Sequence, residues 1–137
     1  MPWIRIVAIV ALLIGAAVAQ AADQPAAYRV DIKDASGKVG ERAVLRVVLH
    51  PRDGIRILSA YNNRVIELSS FDGQVAFERK VVRAAVEDDA LVFAIGVTPT
   101  APGRHAINGV LRVGYIAGPQ EMAMVSLPLI ASVTGTD

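Results

Sequence analysis

There is no cysteine in this chain of 137 residues. That absence removes disulfides, thiol redox chemistry, thiolate metal sites and cysteine nucleophiles together, and it leaves stability to packing alone. Excess charge of one sign is missing as well, since 14 Lys and Arg stand against 13 Asp and Glu. A nucleic-acid-binding domain concentrates Lys and Arg on one face, whereas signs that alternate along the chain read as an ordinary solvated surface. Nucleic acid is therefore not an expected partner. Only two histidines are present, and no internal repeat, low-complexity tract or charge block interrupts the chain.

The N-terminus is a leader. Arg5 precedes an uncharged apolar run over residues 6–19, and small residues follow before the first acid, Asp23. A positive start, an apolar middle and a small-residue end are the parts of a secretory signal. Small-x-small patterns place cleavage after Ala19 or after Ala21. Residues 1–21 thus read as a signal helix and residues 22–137 as one exported domain, periplasmic or secreted. The rival is an uncleaved anchor, but the apolar run is shorter than the roughly 20 residues that a hydrocarbon core requires. No stable membrane span is expected after cleavage. Arg5 is the only charge in the leader, so the domain left behind carries 13 charges of each sign.

Beyond the leader no amphipathic helical pattern appears, and alternation of period two takes over. Residues 28–33 place Tyr28, Val30 and Ile32 on one face. After a stretch of turn composition over residues 34–40, Leu45, Val47 and Leu49 form the next inward face. Pro51 and Gly54 mark a turn. Residues 55–61 are irregular, and a short strand is expected over residues 64–68. Asp72-Gly73 precedes a strand over residues 75–82 with Val75 and Phe77 inward. Glu87-Asp88-Asp89 reads as an acidic loop or a single helical turn. Leu91, Phe93, Ile95 and Val97 recur at every second position and form the middle of the core. Asn108-Gly109 is either a hairpin turn or a glycine inside one continuous strand. The last strand, residues 122–133, contains Pro128, which suits a strand edge or a bulge. Seven to eight strands, with turns every 8 to 12 residues or so, predict an all-β, antiparallel immunoglobulin-like β-sandwich, with a closed barrel as the alternative.

The segments 37–41 (Gly-Lys-Val-Gly-Glu), 49–54 (Leu-His-Pro-Arg-Asp-Gly), 93–98, 103–113 and 131–135 span nearly the whole domain. Taken together, they resemble the immunoglobulin-like N-terminal domain of DsbD-type thiol:disulfide interchange proteins and free-standing exported proteins of the same pattern. The resemblance implies the fold. The redox members of that family carry two cysteines near the end of the domain, where this chain reads Gly-Tyr-Ile-Ala-Gly-Pro-Gln over residues 114–120. No thiol is present to attack or be attacked. No functional residue carries over, and the resemblance implies a scaffold used for binding or assembly.

Candidate chemistry is sparse. His50 and His105 both lie beside turns and read as exposed surface histidines. No nucleophile context surrounds Ser59, Ser69, Ser70 or Ser126. Met122 and Met124 alternate on a strand, so both thioethers share a face, and soft sulfur suits Cu(I). With His105 or His50 beside them they would make a metal site, while core or edge packing is the competing reading. Glu87, Asp88 and Asp89 invite a calcium or glycosidase reading but match an acidic turn better. Tyr61 reads as a partner anchor or as a cap on the core. The expectation is a non-enzymatic protein-binding or envelope-assembly module with no cofactor. Its partner is another exported or envelope protein. A small-ligand or copper-binding protein using Met122 and Met124 is the alternative.

Overall fold

The computed structural model describes residues 27–119 and 121–137. The expected signal helix and both cleavage positions lie outside the described residues. Among the described residues the regular elements are strands, and no helix is long and apolar enough to cross a membrane. In chain order they are β1 (Tyr28–Lys33), β2 (Ala35–Lys38), β3 (Ala43–Pro51), β4 (Arg56–Ile57), β5 (Arg64–Ser70), β6 (Val75–Phe77), β7 (Val82–Arg83), β8 (Ala85–Glu87), β9 (Ala90–Pro99), β10 (Gly103–Ile116) and β11 (Met122–Thr136). Eleven segments replace the expected seven to eight, because several strands are short pieces that change sheets.

One sheet runs β1-β3-β9-β6, with β8 beside the start of β9; the other runs β2-β11-β10-β5-β7, with β4 beside the end of β10. All pairings are antiparallel except β2 with β11, which is parallel. The inward side chains of both sheets meet in one core, where Leu45, Val47, Phe93 and Ile95 from the first sheet join Val65, Ile107, Leu111, Leu129 and Val133 from the second. Alternation predicted the inward sets of β3 and β9 correctly. Every second residue of a strand faces the same way, and burying that set is the main favourable term in folding. In β1, Tyr28 and Val30 are half-buried but Ile32 is exposed, because the chain leaves the first sheet at Asp34 and enters the second as β2. The turn expected over residues 34–40 therefore contains a strand.

The stretch expected as one strand over residues 75–82 is broken. β6 pairs with the end of β9, β7 crosses to pair with β5, and β8 returns to pair with the start of β9. Glu87 and Ala90 are directly paired, so Asp88 and Asp89 form a two-residue hairpin turn, with φ of 49° and 64°. This is the acidic turn between strands that the sequence favours, not a helical turn. Two successive positive φ values are the geometry of a type I′ turn, which fits the right-handed twist of the flanking strands, and Asp is among the residues that tolerate it.

Asn108-Gly109 lies inside the continuous β10, not at a hairpin. Opposite it the register slips, with Asn108 facing Ser69 and Val110 facing Ile66, and Glu67 takes a φ of 52°. This bulge turns both Val65 and Leu68 into the core. A Cβ at Gly109 would stand 3.0 Å from Leu68 Cδ2 and 3.2 Å from Val65 Cγ2. Glycine is the residue that lets the two leucine and valine side chains share that space. Gly109→Ala is expected to cost about 1–3 kcal/mol through overpacking, read by urea unfolding. Combined with Leu68→Val, the loss should be less than additive. Full additivity would show that the two sites do not compete for this volume.

Candidate functional site

The long β10–β11 ladder dictates which backbone groups of β11 are free. Ser132 N–H donates to Asp34 Oδ1 at 3.0 Å, on the side away from β10. Antiparallel ladders alternate hydrogen-bonded and non-hydrogen-bonded pairs, so the even-numbered residues of β11 share that outward direction. Pro128 agrees, being even-numbered and having no N–H to give to the ladder. Beyond β10, β11 meets β2 only over Val133–Thr136, by pairing Val133 with Ala35 through Thr136 with Lys38. Among the described residues, then, the outward N–H and C=O groups of Met122, Met124, Ser126 and Ile130 have no strand beside them.

The side chains along this edge are uncharged throughout, since β11 has no Asp, Glu, Lys or Arg from Met122 to Thr136. Met122, Met124 and Ile130 are 66%, 60% and 68% exposed on the outer face. The outer surface of the first sheet differs in kind. There Arg29 bonds Asp31, Arg46 bonds Glu87, and Arg42 makes two bonds to Glu78. Natural edges are usually blunted with charge or proline. The β11 edge has only Pro128.

His105 is not the exposed residue expected from its neighbouring turn. Its side chain is 7% exposed, at the far end of β10. An odd-numbered position on β10 faces the core, and the ring meets two loops there. Nδ1 lies 2.7 Å from Asp72 Oδ2 and Nε2 lies 2.8 Å from the carbonyl of Ala101. Both partners are acceptors, so both nitrogens donate and the ring is held as the imidazolium. The hydrogen bond donated to Asp72 and then that donated to Ala101 raise the His105 pKa above its ordinary 6.5, against desolvation. The same bond to His105, followed by the N–H of Gln74, holds Asp72 below its ordinary 3.8. Ser70 Oγ donates to Asp72 Oδ1 at 3.3 Å and does not bond the ring. With both nitrogens occupied, His105 is neither a free base nor an available ligand. It clips the turn before β6 to the turn before β10.

The candidate metal ligands do not come together. Val133 faces His105, nine residues along β11 from Met124, which is roughly 30 Å at strand rise. Met122 and Met124 do share a face, as their spacing required. His50, with its side chain 38% exposed, has Nε2 3.2 Å from Asp31 Oδ2 in the other sheet. Among the described residues no group of three or more His, Asp or Glu could hold a metal ion. Tyr61 lies over β10, where a Cβ at Gly114 would meet its ring at 3.1 Å. Asn63 beside it accepts from Gly114 N–H at 2.8 Å and donates to the carbonyls of Leu58 and Tyr61. Tyr61 therefore belongs to a locked loop. A groove of about 520 Å³ near Pro51 and Ser59 has Arg52 and Arg56 balanced by Asp53 and Asp89 in its wall, so it presents no charge preference.

Sequence reading missed the open edge and the partner of His105. The edge had a signal in the uncharged run from Met122 to Thr136. Asp72 had none, because 33 residues separate it from His105.

The clip has a defined pH window. The raised His105 pKa means that its contribution to stability is complete below 6.5 and is lost as pH rises through the folded value. The depressed Asp72 pKa means that its contribution is present above 3.8 and is lost as pH falls through the folded value. Wild type should therefore exceed Asp72→Asn in stability most at about pH 5, with the gap narrowing toward alkaline pH. By NMR, the His105 titration midpoint should fall in Asp72→Asn. A gap that is independent of pH would remove the clip as described.

No protein-family model matches this chain, and no curated protein matches it either.

Proposed function

We propose that this chain is an exported, non-enzymatic immunoglobulin-like β-sandwich that binds protein through the open edge of β11. The single observation that carries the reading is that edge: outward backbone groups without a strand beside them, under an uncharged and largely apolar row of side chains. A bound strand gains main-chain hydrogen bonds from such an edge and specificity from alternate side chains. The strand orders support the immunoglobulin-like assignment. The first four-stranded path and the β5-β10-β11 path correspond to the ABED and CFG sheets of that fold, and the early switch from β1 to β2 places the start of the chain in both sheets. The apolar leader supports export to the periplasm or beyond. The likeness to DsbD-type domains extends to the scaffold and excludes their redox step, for want of a thiol. The absence of a free histidine nitrogen at His105 also favours binding over catalysis.

Site-specific photocrosslinking in cells tests the reading. A photoreactive residue at Met122 or Ser126 should give protein adducts, and one at Arg46 on the outer face of the first sheet should not. Adding Met124→Pro should abolish the adducts. Proline at an even-numbered position removes an outward N–H and spares the β10 ladder, as Pro128 already does. Equal adducts from all positions, or none from β11, would sink the proposal.

A further inference from the structure

We infer that the open edge of β11 pairs with the same edge of a second copy, antiparallel about a twofold axis through Met124. The inference rests on the reading of β11 as a docking edge and names its occupant.

Three features of the edge select this partner and this register. The first is charge. A twofold axis sets a strand against itself reversed, so residues near the axis meet their own kind, and like charges directly opposite destabilise a pair. Nothing from Met122 to Thr136 is charged, so the edge is compatible with itself. The edge strand β1, by contrast, carries Arg29, Asp31 and Lys33 and lacks this property.

The second feature is backbone parity. Outward groups belong to even-numbered residues, so even must face even and the axis must pass through a residue; an axis through Ala123 would pair only Met122 with Met124 within β11, whereas one through Met124 engages Ser126 as well. Through Met124, that residue faces its copy and Met122 faces Ser126, and each pair exchanges N–H and C=O. Through Ser126, Pro128 would oppose Met124 and place its ring where an N–H is needed. An axis through Val125 would likewise set Pro128 against Met122, so Pro128 disfavours the registers centred beyond Met124 and marks the end of the paired segment. It also prevents the ladder from extending toward Ile130.

The third feature is the side-chain row. Met122 and Met124 point outward on one face and are exposed in the single copy. In the paired form, each Met124 lies beside its counterpart and the flexible thioethers fill the seam, a role for which methionine is suited. On the opposite face, the half-buried Ala123 and Val125 gain cover from the same residues of the other copy. The result is one continuous sheet across two domains.

Sedimentation equilibrium on the protein produced from the full chain tests this directly. The mass should approach that of two chains as concentration rises and return to one on dilution. Met124→Lys and Met124→Glu should each give single chains, while their mixture should regain the doubled mass, because opposite charges then meet at the axis. Met124→Pro should give single chains with an unchanged melting temperature, which separates loss of pairing from loss of fold. A wild type that stays single at every concentration would overturn the inference, as would a Met124→Lys variant that still doubles alone. If crosslinks from Met122 reach other proteins while the mass stays single, the docking edge survives and self-pairing falls. Loss of both removes both.

Discussion

The β10–β11 ladder is the constraint on which the other features of this protein depend. It pairs Gly103 with Gly135 at one end and Ile116 with Met122 at the other, without a break in register. One register determines two alternations. Side chains divide into a core face, with Ile107, Leu111, Leu129 and Val133, and an outer face, with Met122, Met124 and Ile130. Backbone groups divide into those spent within the ladder and those that point away from it. A slip of one residue would reverse both, sending Met124 inward and Leu129 out. The hydrophobic cost of that reversal holds the open edge in place.

The two ends of this ladder are treated differently. At the Val133 end, Asp34 receives Ser132 N–H, β2 covers the edge, and the imidazolium of His105 ties Asp72 to Ala101. Thr100 N–H adds a bond to the carbonyl of Gln74 across the same pair of turns. In a chain without disulfides, such a buried, charge-assisted contact restrains loops that would otherwise be held only by their own short turns. At the Met122 end, β4 and the Tyr61–Asn63 loop secure β10, but β11 keeps its outer edge. Stability is concentrated at one end and accessible backbone at the other.

Pro128 illustrates how one residue serves both needs. In the ladder it is harmless, because an even-numbered residue gives no N–H to β10. On the open edge it is an obstacle, since an approaching strand finds a ring in place of a donor. The edge is thereby divided into a usable segment near Met124 and a protected one. Charge, the more common device for protecting an edge, is absent here, so the proline alone limits how far another strand can pair.

Much of the core was legible in the sequence, because period-two alternation is a local pattern and burial acts on it directly. Leu45, Val47, Leu49, Leu91, Phe93, Ile95 and Val97 could be assigned inward from their neighbours alone, and the missing cysteines excluded thiol chemistry without any structure. The sheet changes at Asp34 and between β6 and β8 could not be read, since residues of similar composition pair with either sheet. Nor could the continuous path through Gly109, which depends on a bulge in β5. The burial of His105 depends on Asp72, distant in sequence, and the freedom of the β11 edge depends on where β2 begins. Sequence determined which side chains alternate and which chemistries are impossible. Tertiary structure alone decided which strand lies beside which, and hence which backbone donors and acceptors are left over, because hydrogen bonds between strands join residues that no local pattern connects.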